Sequence, residues 1–125
     1  MSQVVLFYDG ECRACRTFTN LVLKADTGRR IRTAPLDSPE ADQVLGHLPE
    51  RRRFGSFHLA IGDRVVSGGA AVGPLLELLP SLRPAGTLIR RSPAARRAAH
   101  ALYHALARNR GRIGRLLPRA GDPSR

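Results

Sequence analysis

Cys12 and Cys15 are the only cysteines in the chain, and they stand three positions apart. They follow a short apolar run, Val4-Val5-Leu6-Phe7-Tyr8, and an Asp9-Gly10 turn, and they precede a helix-patterned run from Arg16 to Lys24. This order predicts a strand, a tight turn and a helix, with Cys12 at or just before the first helical turn and Cys15 one turn on. Side chains at i and i+3 share a helix face, so a disulfide can close between them with little backbone movement. A helix N-terminus carries unpaired N–H groups and a partial positive charge, which favour thiolate over thiol. The thiolate is the form that attacks disulfides. The chemistry expected of this stretch is thiol–disulfide exchange.

Cys12 is expected to be the nucleophile, being nearer the helix end and more exposed, with Cys15 resolving the mixed disulfide. Arg13 and Arg16 would favour thiolate; Asp9 and Glu11 would oppose it. Asp9 has two readings: a cap on the strand–helix turn, which its side-chain oxygens suit, or a proton acceptor for Cys15. Metal binding is the rival use of the cysteines. Cys-x-x-Cys is half a zinc site, and His100 and His104, at i and i+4, offer the other half. Against it stand a gap of more than eighty residues between the two pairs and the absence of a second cysteine pair. His58 reads as a satisfied core or edge histidine, and Tyr8 as packing.

The elements that must position these residues follow from the pattern. Gln3 to Tyr8 is β-branched and aromatic without alternation, as in a strand buried on both faces. Cys12 to Lys24 has Phe18, Leu21 and Val22 at helical spacing, ended by Asp26-Thr27-Gly28. Arg30 to Ala34 is a second strand. Ser38 and Pro39 open a short helix through Leu48, and Arg51-Arg52-Arg53 reads as a solvated loop. Phe57 to Ile61 and Arg64 to Ser67 form a hairpin across Gly62-Asp63, and Ala70 to Leu79 is a third helix. Two βαβ-type crossovers followed by a hairpin and a helix predict an α/β fold: a four-stranded mixed sheet with helices on both faces. That architecture is thioredoxin-like.

The expected domains are a redox domain over 1–82, a basic helical extension packed on it over 83–117, and a disordered tail over 118–125. The connector 82–92 is expected to hold a turn or two of helix. Pro93 to Arg108 is a strong helix, with Ala99, Leu102, Tyr103 and Leu106 as its apolar stripe. The net charge of +11 is concentrated in this part of the chain: residues 1–82 balance at +1 and residues 83–125 at +10. An Arg-rich surface of this kind suits a solvated helix face, an anionic membrane surface or nucleic acid, or an acidic partner protein. Tyr103 is the sole aromatic of the extension, so base stacking is not supported. No signal peptide is read at Met1-Ser2-Gln3 and no apolar run is long enough for a membrane span; a cytoplasmic location is the expectation.

Asp9-Gly10-Glu11-Cys12-Arg13-Ala14-Cys15 after an apolar strand resembles the signature of the DCC family of thiol–disulfide oxidoreductases, named for an Asp and two Cys at this spacing. Ala34-Pro35-Leu36-Asp37-Ser38 resembles its second-strand exit, and Tyr103, Asn109 and Arg110 resemble its C-terminal Tyr…Asn-Arg segment. The likeness runs to about Leu117. It implies disulfide exchange with a disulfide-containing substrate and a thiol electron donor, no bound cofactor, and catalytic roles for Cys12, Cys15 and Asp9. The family pattern has a Ser and then an Asp after the first Gly before the third helix. Here Gly69 and Ala70 stand instead, which removes a cap. Gly55-Ser56 stands where thioredoxins carry a cis-proline facing the cysteines, so Ser56, with Arg13, is the candidate for substrate binding. The alternative to an enzyme is a metal-binding or basic docking module that uses the cysteines structurally.

Overall fold

The structure, a computed structural model, describes residues 4–118, 121 and 123. Strand β1 (Val4–Tyr8) lies inside a four-stranded sheet of order β2-β1-β3-β4, with β2 at Ile31–Pro35, β3 at His58–Ile61 and β4 at Arg64–Ser67. All five β1 residues are buried. The strand pairs parallel with β2 (Leu6 opposite Thr33) and antiparallel with β3 (Leu6 opposite Leu59). Val4 and Leu6 face one core with Val22, Ile31, Leu59, Ala71 and Leu75. Val5 and Phe7 face a second with Ala34, Leu36, Ala41 and Leu45. Burial on both faces explains why the run reads as apolar without alternation.

Helix α1 (Arg13–Ala25) and helix α4 (Gly69–Leu78) bring Val22, Ala71 and Leu75 to the first core. Helix α2 (Pro39–Leu45) brings Ala41 and Leu45 to the second. Asp26 closes the α1–β2 turn, its carboxylate oxygens accepting from the Arg30 and Ile31 N–H groups at 3.0 and 2.9 Å. The mixed sheet with helices on both faces is the expected thioredoxin-like fold.

Two expectations need correction. The first concerns the second crossover, which is not parallel. Pro35 at the exit of β2 pairs with Tyr8, and His58 at the entry of β3 pairs with Phe7, so the chain leaves and re-enters the sheet at the same end. The return passes through Arg51-Arg52-Arg53, where a solvated loop is expected. This stretch forms helix α3 (Glu50–Arg53). Arg51 and Arg52 are exposed, but the Arg53 side chain is only 14% exposed and pairs with Asp42 at 2.6 Å. Arg53 also donates to the Leu36 carbonyl at 2.6 Å, tying the return segment to the exit of β2.

The second concerns the connector after α4, which holds a full helix, α5 (Arg83–Arg91). It lies close on α4 because Gly86 has no side chain: a Cβ there would stand 2.8 Å from the Gly73 carbonyl oxygen. Helix α6 (Pro93–Arg108) matches the sequence reading and packs on α4 and α5; helix α7 (Arg110–Leu116) packs on α1. The α4 N-cap is Gly68, with no side-chain cap, and the neighbouring Gly69 instead receives the His100 ring. Of the tail expected to be disordered, Pro118, Gly121 and Pro123 are described. The Gly121 and Pro123 carbonyls accept from Asn20 and Tyr8. The rest of the tail, like Gln3 of the expected first strand, lies outside the described residues. No helix among the described residues is long and apolar enough to cross a membrane.

His58 is 1% exposed. Its Nε2 lies 2.9 Å from the Arg53 carbonyl, which only accepts, so Nε2 carries the proton. Nδ1 then accepts from the Ser67 hydroxyl at 2.6 Å. Burial holds the His58 pKa below its ordinary 6.5, outweighing the backbone acceptors that favour the charged ring. Between that lowered value and 6.5 the unfolded chain binds more protons than the folded one, so stability falls as pH drops through this window. One such proton gives a slope of at most about 1.4 kcal/mol per pH unit. Denaturant midpoints between about pH 5 and pH 8 should show this slope in the wild type and lose it in His58→Asn; an unchanged slope would place the titration elsewhere.

Candidate functional site

The turn after β1 is built by Asp9. Its Oδ1 accepts from the Glu11 N–H at 3.0 Å, and its carbonyl accepts from the Cys12 N–H at 3.2 Å. This sets Cys12 as the N-cap of α1, with extended φ and ψ of −96° and 115°. The Cys12 Sγ accepts from the Cys15 N–H at 3.3 Å, taking the place that a Ser or Asp oxygen fills at most helix starts. The Cys12 carbonyl accepts from the Arg16 N–H at 3.0 Å, the first bond of the helix. The cysteines form a disulfide, with Cα atoms 5.2 Å apart, and both residues are half-buried. No acidic residue lies in the first turn of α1 to offset the partial charge there.

The two nearby guanidinium groups are committed to backbone. Arg16 donates to the Gly10 carbonyl at 2.7 Å and braces the turn. Arg13 donates to the Gly114 and Leu117 carbonyls at 3.3 and 3.4 Å and fastens α7 to α1. Gly114 is buried in this contact.

Beside the disulfide is a cavity of about 430 Å³. Asp9, Cys15 and Ser56 line it together, whereas Cys12 and Arg13 do not. Its floor is an aromatic row: Phe18 of α1, Phe57 before β3 and Tyr103 of α6, with ring centroids 5.3 and 5.6 Å apart. Val72 and Leu76 of α4, Ile89 of α5 and Leu102 and Leu106 of α6 complete the walls. The apolar stripe of α6 is therefore not flush against the sheet domain; it forms a wall of this space.

Sequence reasoning named Arg110 only through the C-terminal motif, and Tyr103 through that motif and the apolar stripe of α6, and gave neither a place at the site. Burial pushes the Tyr103 phenol above its ordinary pKa, and the Phe57 backbone, the Arg110 charge and the Ser56 hydroxyl offset part of that rise. Arg110 donates to the Phe54 carbonyl at 3.3 Å. The pair thus grips the segment 54–57, which carries Ser56 to the cavity wall. Asn109 caps the end of α6, and its side chain donates to the Ala105 carbonyl at 2.7 Å.

The four residues of the metal alternative are not brought together. His100 and His104 stack on one another, with centroids 5.1 Å apart, and Cys12 is bonded to Cys15. Among the described residues no three His, Cys, Asp or Glu side chains gather as metal ligands.

The model of the DCC1-like thiol-disulfide oxidoreductase family matches residues 6–116. The chain belongs to this family. The match takes in both the cysteine turn and the Tyr103 and Arg110 helices, so nearly all of the extension lies within the family's model. No curated protein and no solved structure matches the chain.

Asp9 offers a clean separation of turn from charge. An Asn side chain keeps the acceptor for the Glu11 N–H; Ala removes it. Asp9→Asn should stay within about 0.5 kcal/mol of wild-type stability, and Asp9→Ala should lose about 1 kcal/mol. Equal losses in urea titrations would show that the carboxylate charge, not the hydrogen bond, holds the turn.

Proposed function

We propose that the protein is a thiol–disulfide oxidoreductase in which Cys12 attacks and Cys15 resolves. The observation that carries this reading is the Cys12 Sγ at the α1 N-cap, where it accepts the Cys15 N–H. A hydrogen bond to a charged group favours the charged form, and the helix end adds its partial charge. Cys15 lacks that position, so the thiolate belongs to Cys12.

In the reduced protein the Cys12 thiolate attacks one sulfur of a substrate disulfide. The substrate S–S bond breaks, one substrate thiolate leaves and takes a proton, and the other half remains as a mixed disulfide on Cys12. Cys15 then loses its proton, with Asp9 or water as acceptor, and attacks the Cys12 sulfur. The second substrate thiol is released and the Cys12–Cys15 bond forms. Two electrons pass from the cysteine pair to the substrate, and a thiol donor restores the dithiol by the same steps in reverse. Ser56, across the cavity from α1, is the residue proposed to present backbone to the substrate.

In the reduced protein at neutral pH, alkylation should reach Cys12 at least about tenfold faster than Cys15. Cys15→Ser should accumulate mixed disulfides with small disulfides, and Cys12→Ser should not. Equal alkylation rates, or a faster Cys15, would overturn the assignment. Equilibration with a glutathione redox buffer should give a single two-electron transition, lost in either serine variant.

A further inference from the structure

We propose that the cavity beside Cys15 holds the apolar body of the substrate, and that the substrate is a small lipophilic disulfide rather than a loop of a folded protein. This rests on the exchange reaction proposed above and adds what is exchanged. The volume of about 430 Å³ falls in the range of small-molecule sites. Cys15 stands in its wall, and Cys12 is bonded to Cys15. A ligand seated there holds its own sulfurs beside the reactive pair.

The walls choose the ligand. Phe18, Val72, Leu76, Ile89, Leu102 and Leu106 present carbon. The polar side chains of the lining have partners within the protein: Thr19 donates to the Cys15 carbonyl at 2.8 Å, Asp9 accepts from the Glu11 N–H at 3.0 Å, Tyr8 donates to the Pro123 carbonyl at 3.2 Å, Arg110 donates to the Phe54 carbonyl, and Tyr103 meets Ser56 and the Phe57 backbone. Beyond the Ser56 backbone, a peptide laid along these carbon walls would bury N–H and C=O groups without partners, at a cost. A hydrocarbon or aryl group has none to satisfy. Phe18, Leu102 and Leu106 meanwhile stand 39%, 63% and 51% exposed at the cavity, and covering them removes apolar surface from water.

The reaction is the exchange already written, with a lipophilic disulfide R–S–S–R′ as the two-electron acceptor. The cysteine pair is oxidised to its disulfide, and RSH and R′SH are released.

The test uses the full chain in its dithiol form and a series of alkyl 2-hydroxyethyl disulfides, from methyl to hexyl. The second-order rate of protein oxidation is read by acid quench and mass analysis, with reduced glutathione as the reference thiol. The protein rate should rise about threefold per methylene until the cavity is filled, while the glutathione rate stays flat. Ala99→Phe, which fills the cavity from α6, should flatten the rise. Leu106→Gln, at a half-exposed wall position, should weaken it even if the first variant does not fold. A flat series in the wild type, with exchange intact, would overturn the lipophilic site and leave the exchange reaction standing. Rapid oxidation by a protein disulfide, with slow oxidation by every alkyl member, would overturn it in favour of a protein substrate. No oxidation by any disulfide would remove the exchange reaction and the inference with it.

Discussion

The unpaired N–H groups at the start of α1 are the constraint around which the rest of the molecule is arranged. A helix must find partners for them, and here one partner is a sulfur, the Cys12 Sγ. A sulfur thus stands where a Ser or Asp oxygen is usually preferred, so a position that the helix must fill in any case is held by a group with redox chemistry of its own. For the cap to hold, the chain must enter the helix at a set angle. β1 supplies this as a strand buried on both faces and paired on both edges. The Asp9 turn transmits the direction, and Arg16 braces it against the Gly10 carbonyl.

The C-terminal helices complete the site. α7 is fastened over the start of α1 by Arg13, which donates to the Gly114 and Leu117 carbonyls. Tyr103 and Arg110 hold the segment before β3, which carries Ser56 into the cavity. The extension thus joins the cysteine helix to the segment facing it, and the space between them is its product. The close seating of α5 on α4 at Gly86 sets the depth of that space, since α5 brings Ile89 to its wall.

Charge and chemistry are kept apart within one helix. Ala99, Leu102, Tyr103 and Leu106 of α6 line the cavity, while Arg97 and Arg108 stand exposed on the opposite side of the helical wheel. At physiological salt, exposed charges separated by more than about 8 Å are largely screened. The strongly basic composition therefore describes the outer surface of the extension more than the environment of the cysteines.

Much was legible in the sequence because it depends on neighbours in the chain. The strand–turn–helix order around Cys12 and Cys15, the Gly62-Asp63 hairpin and the long α6 helix all follow from local propensity and spacing. The family likeness lay in the same short motifs. What required the tertiary structure was long-range. Arg53 reads as one of three solvated arginines until the Leu36 carbonyl and Asp42 are seen beside it. The expected loop is a turn of helix, and Arg53 on it ties the returning chain to the end of the sheet where β2 left it. The α6 stripe is plain as an amphipathic pattern, but a pattern records only that a face is apolar. Whether that face closes on a core or leaves room for a ligand depends on how near α1, α4 and α5 approach it. α4 comes close to α6 where Gly69 receives the His100 ring, and α5 comes close to α4 where Gly86 meets the Gly73 carbonyl, residues whose missing side chains have meaning only once the opposing groups are in place.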